Sequence, residues 1–280
     1  MIPNNQMFFP KRGQVSVLQP WYDSLSVKPS AGLWTDLKIM ADGMNEDGDW
    51  EEADLISVHA ALETDEQRLR PFKTTSGDDF IPTNSPTLSV EGYNSSDGSD
   101  RLIDCKWNPV DNGVKFTENN AYIGIYGVSK TSTGSGNEIF GASNENGDFG
   151  NCIISTSLTT TAITNASQTM INGYFNTTST PSKTGLSNTI KRYYVGIKRT
   201  SSSSITKYIN GVQNVVGSLS TGLTPYDFSI LGVNYGGVYS TATLHTSRAC
   251  IVGSSLIDHD RVAARLNTFF ASRGLSIDNY

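Results

Sequence analysis

Residues 193–216, YYVGIKRTSSSSITKYINGVQNVV, decide the fold class. They read as two β-strands joined by a Ser-rich turn, followed by a tight hairpin at Asn210-Gly211. Asn-Gly supplies the two positive φ values that a type I′ turn requires, and apolar residues flank it on both sides. A hairpin of this kind belongs to an all-β protein with short strands and working surface loops. The chain reads as built to display a surface.

Working outward, the texture is β from Phe80 onward. Strands are expected over 87–92, 121–128, 138–142, 152–155, 169–175, 192–198, 205–209, 212–216, 228–233 and 249–253. Clusters of Gly, Asn, Ser and Thr separate them at the spacing of an antiparallel β-sandwich or jelly roll. A helix closes the chain, opened by Asp258-His259-Asp260, with Val262, Leu266, Phe269 and Phe270 on one side and Gly274 as its stop. The expected sandwich domain is thus 80–280.

Upstream, residues 31–79 read as a small helical hairpin and linker. Leu33, Trp34, Leu37, Met40 and Met44 form one apolar face. Trp50, Ala53, Ile56 and His59 form a second, with Asp49 placed to cap it. A third short turn runs over 64–69 and ends before Pro71. This unit has too little core to stand alone and is expected to dock on the β domain. Residues 1–30 place Pro3, Pro10, Pro20 and Pro29 among Phe8, Phe9, Trp21 and Tyr22, which prevents a regular helix. An extended arm on a neighbouring subunit and an arm packed back on its own domain both satisfy that pattern.

At 280 residues the chain buries a full core, and 17% charged residues with a net charge of −6 leave no basic stripe for nucleic acid. No apolar run reaches membrane-span length, so no membrane insertion is expected. The first residues lack a signal peptide's apolar core and cleavage site, so synthesis without classical export is expected. Cys105, Cys152 and Cys250 are odd in number and widely spaced, which suits buried free thiols better than disulfides or zinc.

The acidic cluster 46–54, EDGDWEEAD, is the foremost candidate for chemistry. As a calcium loop it would start at Gly43, which has no side chain, and end on Asp54 where a bidentate Glu is needed. As a glycosidase site, Asp47, Asp49 and Glu51 share a face only on a strand, and this segment reads as a helix start. Complementing a helix dipole is the better reading. His59, His245 and His259 are isolated, and His259 reads as a solvated residue at a helix start. Glu138, Glu145 and Asp148 are the β-region carboxylates a glycan-cleaving enzyme would have to use. No catalytic residue, metal ligand or cofactor motif is assigned. A ligand site is expected from Asn146 and Phe149 in the Gly/Asn-rich loop, with Tyr226, Tyr235 and Tyr239 in Gly-rich loops near the C-terminal strands. Short amides direct hydrogen bonds to sugar hydroxyls and aromatic rings offer a stacking face.

The segment YYVGIKRTSSSSITKYINGVQ resembles the strand–turn–strand element of concanavalin A-like, laminin-G-like jelly-roll domains. The upstream Gly48-Asp49-Trp50 turn with Asp54-Leu55 resembles a module of bacteriophage and prophage tail and virion proteins. So do PFKTTSGDDFIPTNSPTLSVEGY, RLIDCKWNPVDNGVKFTENNAYIGIY and the closing RACIVGSSLIDHDRVAARLNTFFASRGL. The resemblance covers roughly residues 30–275. It implies a jelly-roll virion protein, a tail-fibre or capsid-surface part made in the host cytoplasm. The proline-rich arm would bind other virion proteins, and a homo-oligomer, first of all a trimer, is expected. It also implies possible contact with host-surface glycan, or a purely structural decoration or connector role. The carboxylate signature of the glycan-cutting branch is missing from the β region, so no enzyme activity carries over.

Overall fold

The computed structural model describes residues 15–94, 101–129, 137–143, 151–159, 168–177, 184–186, 192–209, 212–241 and 245–275. In chain order the elements are α1 (Gln19–Ser24), α2 (Ala31–Glu46), β1 (Ala53–Val58), α3 (Asp65–Leu69), β2 (Lys73–Thr74), β3 (Ile81–Thr83), β4 (Thr87–Ser89), β5 (Gly92–Asn94) and β6 (Leu102–Asp104). Then come β7 (Ala121–Ser129), β8 (Asn137–Ser143), β9 (Asn151–Thr159), β10 (Gln168–Thr177), β11 (Thr184–Leu186), β12 (Arg192–Arg199), β13 (Ser204–Ile209) and β14 (Val212–Gly217). The chain closes with β15 (Ser229–Ile230), β16 (Gly232–Tyr235), β17 (Val238–Thr241), β18 (His245–Gly253) and α4 (His259–Ser272).

Two sheets form a sandwich. The first runs β14-β13-β12-β7-β18-β1-β2, with β5 and β4 on β18. The second runs β11-β10-β9-β8-β15-β6-β3, with the β16/β17 hairpin on β8. Pairing is antiparallel except β16 on β8. The central strands of the first sheet are buried on both faces, and alternation along them feeds two cores. Ile123, Ile125, Val195, Ile197, Ile205, Cys250 and Val252 meet Ile103, Phe140, Ile154 and Ile230 of the second sheet. Tyr122, Tyr126, Tyr194, Ala249 and Ile251 meet α1, α2 and α4 on the other side. The result is three layers: helices, sheet, sheet.

The expected sandwich and closing helix are present. Asp258 caps α4, its Oδ1 accepting from the backbone N–H of Asp260 (3.0 Å) and Arg261 (3.1 Å). The strands read within 193–216 pair as β12, β13 and β14, with Ile209 opposite Val212, while the turn residues Asn210 and Gly211 lie outside the described residues. α2 packs on the first sheet through the core it shares with α1 and α4.

Three boundaries differ. The second helix of the expected hairpin does not exist. Its segment is β1, paired to β18 and β2 inside the first sheet, so the sandwich begins at Ala53 and not at 80. All six residues of β1 are buried, because one face meets the helices and the other the second sheet. A strand buried on both faces shows no alternation. Residues 15–30 are no extended arm, since α1 forms with Pro20 in its first turn, where a proline is tolerated. Leu18, Trp21 and Leu25 enter the helical-layer core. The rest of the expected arm, 1–14, lies outside the described residues.

Candidate functional site

The acidic cluster is structural. Asp47 pairs with Arg265 (3.0 Å) and Asp49 with Arg261 (3.0 Å), while Asp49 also accepts the Asp258 N–H (2.8 Å). Glu52 accepts from Ser254 Oγ (2.5 Å). Asp54 takes the consecutive amides of Val114, Lys115 and Phe116 at 2.7–3.1 Å. These carboxylates bind the start of α4 and the 114–116 turn to the sheet edge. Among the described residues no group of three His, Cys, Asp or Glu is placed to hold a metal ion. Cys105 and Cys250 are buried free thiols whose ionisation burial pushes up; Cys152's side chain lies outside the description.

His259 departs from its expected solvated setting. It is 2% exposed and stacked between Tyr194 (4.5 Å) and Tyr208 (4.8 Å). Tyr122 Oη bridges Tyr194 Oη (2.8 Å) and His259 Nδ1 (2.9 Å). Burial holds this imidazole down to about 3.

A polar cluster unforeseen in the sequence lies at one end of the second sheet. Ile103 faces the inter-sheet core, so its neighbour Asp104, last in β6, turns to the opposite face. There Asp104 is held three ways: by the Lys106 backbone N–H (2.9 Å), by Lys106 Nζ (2.8 Å) and by Tyr239 Oη (3.3 Å). Lys106 sits at φ 51°, the left-handed turn that folds its ammonium back over Asp104. The bond to Asp104 raises the lysine's pKa, and burial followed by Asp104's charge raises that of Tyr239.

The turn after Lys106 supplies amides. Asn108 starts an Asn-Pro turn, its Oδ1 accepting the Asp111 N–H (2.8 Å). Its Nδ2 donates to Asp111 Oδ2 (3.1 Å) and Asp227 Oδ1 (3.2 Å). Burial lifts the Asp227 carboxyl, with the Asn108 bond opposing it and the Asp104 and Asp111 charges adding to it. Asn234 Nδ2 bonds the Asp227 carbonyl (3.1 Å) and its Oδ1 accepts the Gly237 N–H (2.7 Å), tying the β16/β17 hairpin to the same corner. Asp111 is exposed and the side chains of Lys106, Asp227 and Tyr239 are half-buried. The corner therefore offers carboxylate acceptors, an ammonium, a phenol and ring edges within one hydrogen-bonded frame.

Of the residues expected to bind ligand, Tyr235 and Tyr239 lie on paired strands but on opposite faces, since Tyr239 is opposite Asn234 and Tyr235 opposite Val238; only Tyr239 joins the Asp104 corner. Tyr226 adjoins Asp227, but its ring packs against the inter-sheet core. Asn146 and Phe149 lie outside the described residues. The segment that carries them follows Ser143, which pairs with Tyr235. Glu145 and Asp148 also lie outside. The Asp104–Lys106–Asn108–Asp227 core escaped the sequence reading because Asp227 is 119 residues from Asn108. Its one local signal was Asn-Pro-x-Asp, which reads as a turn.

A separate cleft of about 660 Å³ lies between α1 and the 70–79 link, lined by Trp21, Trp50, Arg70, Phe72, Lys73 and Asp79. Its polar groups serve the fold. Arg70 clamps Asp79 (2.9 Å), Lys73 Nζ bonds the Trp50 carbonyl (2.6 Å), and Trp21 Nε1 bonds the Arg70 carbonyl (3.0 Å). The polar corner at Asp104 is the better site, because it gathers side chains from four segments around a shared pair of carboxylates.

No family model matches the chain. No curated protein matches it. Among solved structures it is similar to a Trypanosoma rangeli sialidase mutant displaying trans-sialidase activity. The TM-score is 0.51 at 12% identity, covering 86% of this chain and 39% of that one. T. rangeli sialidase in complex with sialic acid gives 0.48 at 13%, covering 84% and 39%. Domain 4 of AbnA, a GH43 extracellular arabinanase from Geobacillus stearothermophilus in complex with arabinotriose, gives 0.40 at 14%, covering 76% and 98%. The chain spans 39% of the length of the first of these. At such identity the likeness shows the fold alone: a mainly antiparallel β-sandwich.

Proposed function

We propose that this protein is a non-enzymatic, glycan-binding β-sandwich displayed on a bacteriophage particle, as a tail or capsid-surface component. The observation that carries the glycan reading is the Asp104–Lys106–Asn108–Asp227–Tyr239 corner. Sugar recognition calls for fixed acceptors and donors beside an aromatic edge, held in place before the ligand arrives. Asp104 and Asp227 are oriented by Lys106, Tyr239 and Asn108, so little ordering remains to be done on binding. The placement on a phage particle rests on the sequence resemblance. Several copies on one particle would add weak single contacts into avidity.

The test is a glycan array probed with the purified oligomer. Saturable binding to a saccharide is expected, weakened at least tenfold, or ~1.4 kcal/mol, by Tyr239→Ala and by Asp104→Asn in proteins of unchanged melting temperature. No binding by the oligomer would leave a structural decoration or connector role. Release of sugar from a bound glycan would overturn the non-enzymatic reading.

A further inference from the structure

The edges of the two sheets are unequal. Among the described residues, β2 ends the first sheet with two residues and carries Lys73. β3, β4 and β11 are three residues each, and β3 contains Pro82. β17 has four. Short strands, lysine and proline are the usual protections against edge-to-edge pairing. β14 has none of them: it is six residues long, VQNVVG, with no charge and no proline, and among the described residues it pairs only with β13.

Its surroundings are open. Gln213, Asn214, Val215 and Gly217 are exposed, Val215 at 66%, and a Cβ added at Gly217 would meet nothing within 4 Å. The ladder to β13 closes on Ile209–Val212 across two intervening residues, which makes that pair mutually hydrogen-bonded. Bonding alternates from there, so Val212, Asn214 and Val216 turn their N–H and C=O groups to β13. Gln213, Val215 and Gly217 turn theirs outward.

We infer that β14 is an interaction surface for a second copy of this chain, pairing antiparallel with its counterpart about a twofold axis at Val215. Three evenly spaced outward residues centred on Val215 are self-complementary under such a rotation: Val215 meets Val215, and Gln213 meets Gly217. The twofold contact is isologous, so it closes at two copies and extends the first sheet across the dimer. The absence of charge on β14 matters here, since identical strands would otherwise set like charges opposite each other. Among the described residues the other strands that end the two sheets are two to four residues long, too short to pair with β14 along its length. This pairing replaces the threefold arrangement expected from the sequence resemblance, and it does not depend on the glycan reading.

The experiment is sedimentation equilibrium of the full chain, with point variants. The wild type is expected at twice the chain mass. Val215→Lys is expected at the monomer mass with an unchanged melting temperature, while Val238→Lys, at an equally exposed valine on the short β17 edge, stays dimeric. A monomeric or trimeric wild type would overturn the inference. So would a dimer that survives Val215→Lys.

Discussion

At the residue scale, the cage around His259 explains two mid-strand glycines that a propensity argument would disfavour. A Cβ on Gly196 would lie 2.7 Å from His259 Nδ1, and one on Gly124 would lie 2.7 Å from Tyr194 Oη. The glycines make room for three phenols and an imidazole between sheet and helix. Burial also sets a pH dependence. His59 and His259 are both buried and both held down to about 3, against 6.5 in an open chain. The unfolded chain binds these protons first, so stability is complete above pH ~6.5 and falls as pH drops towards 3. Each histidine contributes a slope of about 1.4 kcal/mol per pH unit in that window. Urea denaturation at pH 7, 5.5 and 4.5 checks this. His259→Phe is expected to remove about half of the histidine-dependent slope, and an unchanged slope would show that His259 titrates normally in the folded state.

At the element scale, the segment around β1 shows where local patterns mislead. Trp50, Ala53, Ile56 and His59 fall at three-residue steps, a helical spacing, yet 53–58 is the strand between β18 and β2. Gly48, at φ 84°, ends the preceding helix, and the acidic residues after it bind distant elements instead of capping a new one. Asp54 is the strongest of these ties, since its carboxylate takes three successive amides from residues 114–116. Charge-assisted bonds of this kind contribute roughly 1.5–3 kcal/mol each and are not additive. Asp54→Ala is therefore expected to cost about 3 kcal/mol in denaturant melts. Asp54→Asn, which keeps one acceptor oxygen, is expected to cost clearly less. Equal losses would mean that packing, and not the amide nest, is what Asp54 supplies.

At the scale of the whole molecule, the helical layer belongs to the sandwich. Trp21 is 3% exposed, packs edge-on to Phe72 at 4.7 Å, and donates its indole N–H to the Arg70 carbonyl. Leu18 and Leu25 lie in the same core. Deleting residues 1–30 is thus expected to destabilise the domain, and Trp21→Ala alone to cost about 3–5 kcal/mol by thermal or urea melts. A deletion that leaves the melting temperature unchanged would restore the picture of a detachable arm.

What the sequence determined by itself follows from contacts between neighbours along the chain. The Asn-Gly hairpin, the helix over Leu33, Leu37, Met40 and Met44, and the capped closing helix need only local turn chemistry and periodicity. The pairing of β1 with β18, the burial of both faces of one sheet, and the return of residues 15–30 to the core depend on partners far along the chain. The candidate site has the same origin: Asp104, Asn108, Asp227 and Tyr239 are ordinary residues in their own segments. Only the pairing of β15 with β6 and the folding of β17 over that corner bring their charges and amides within hydrogen-bond reach.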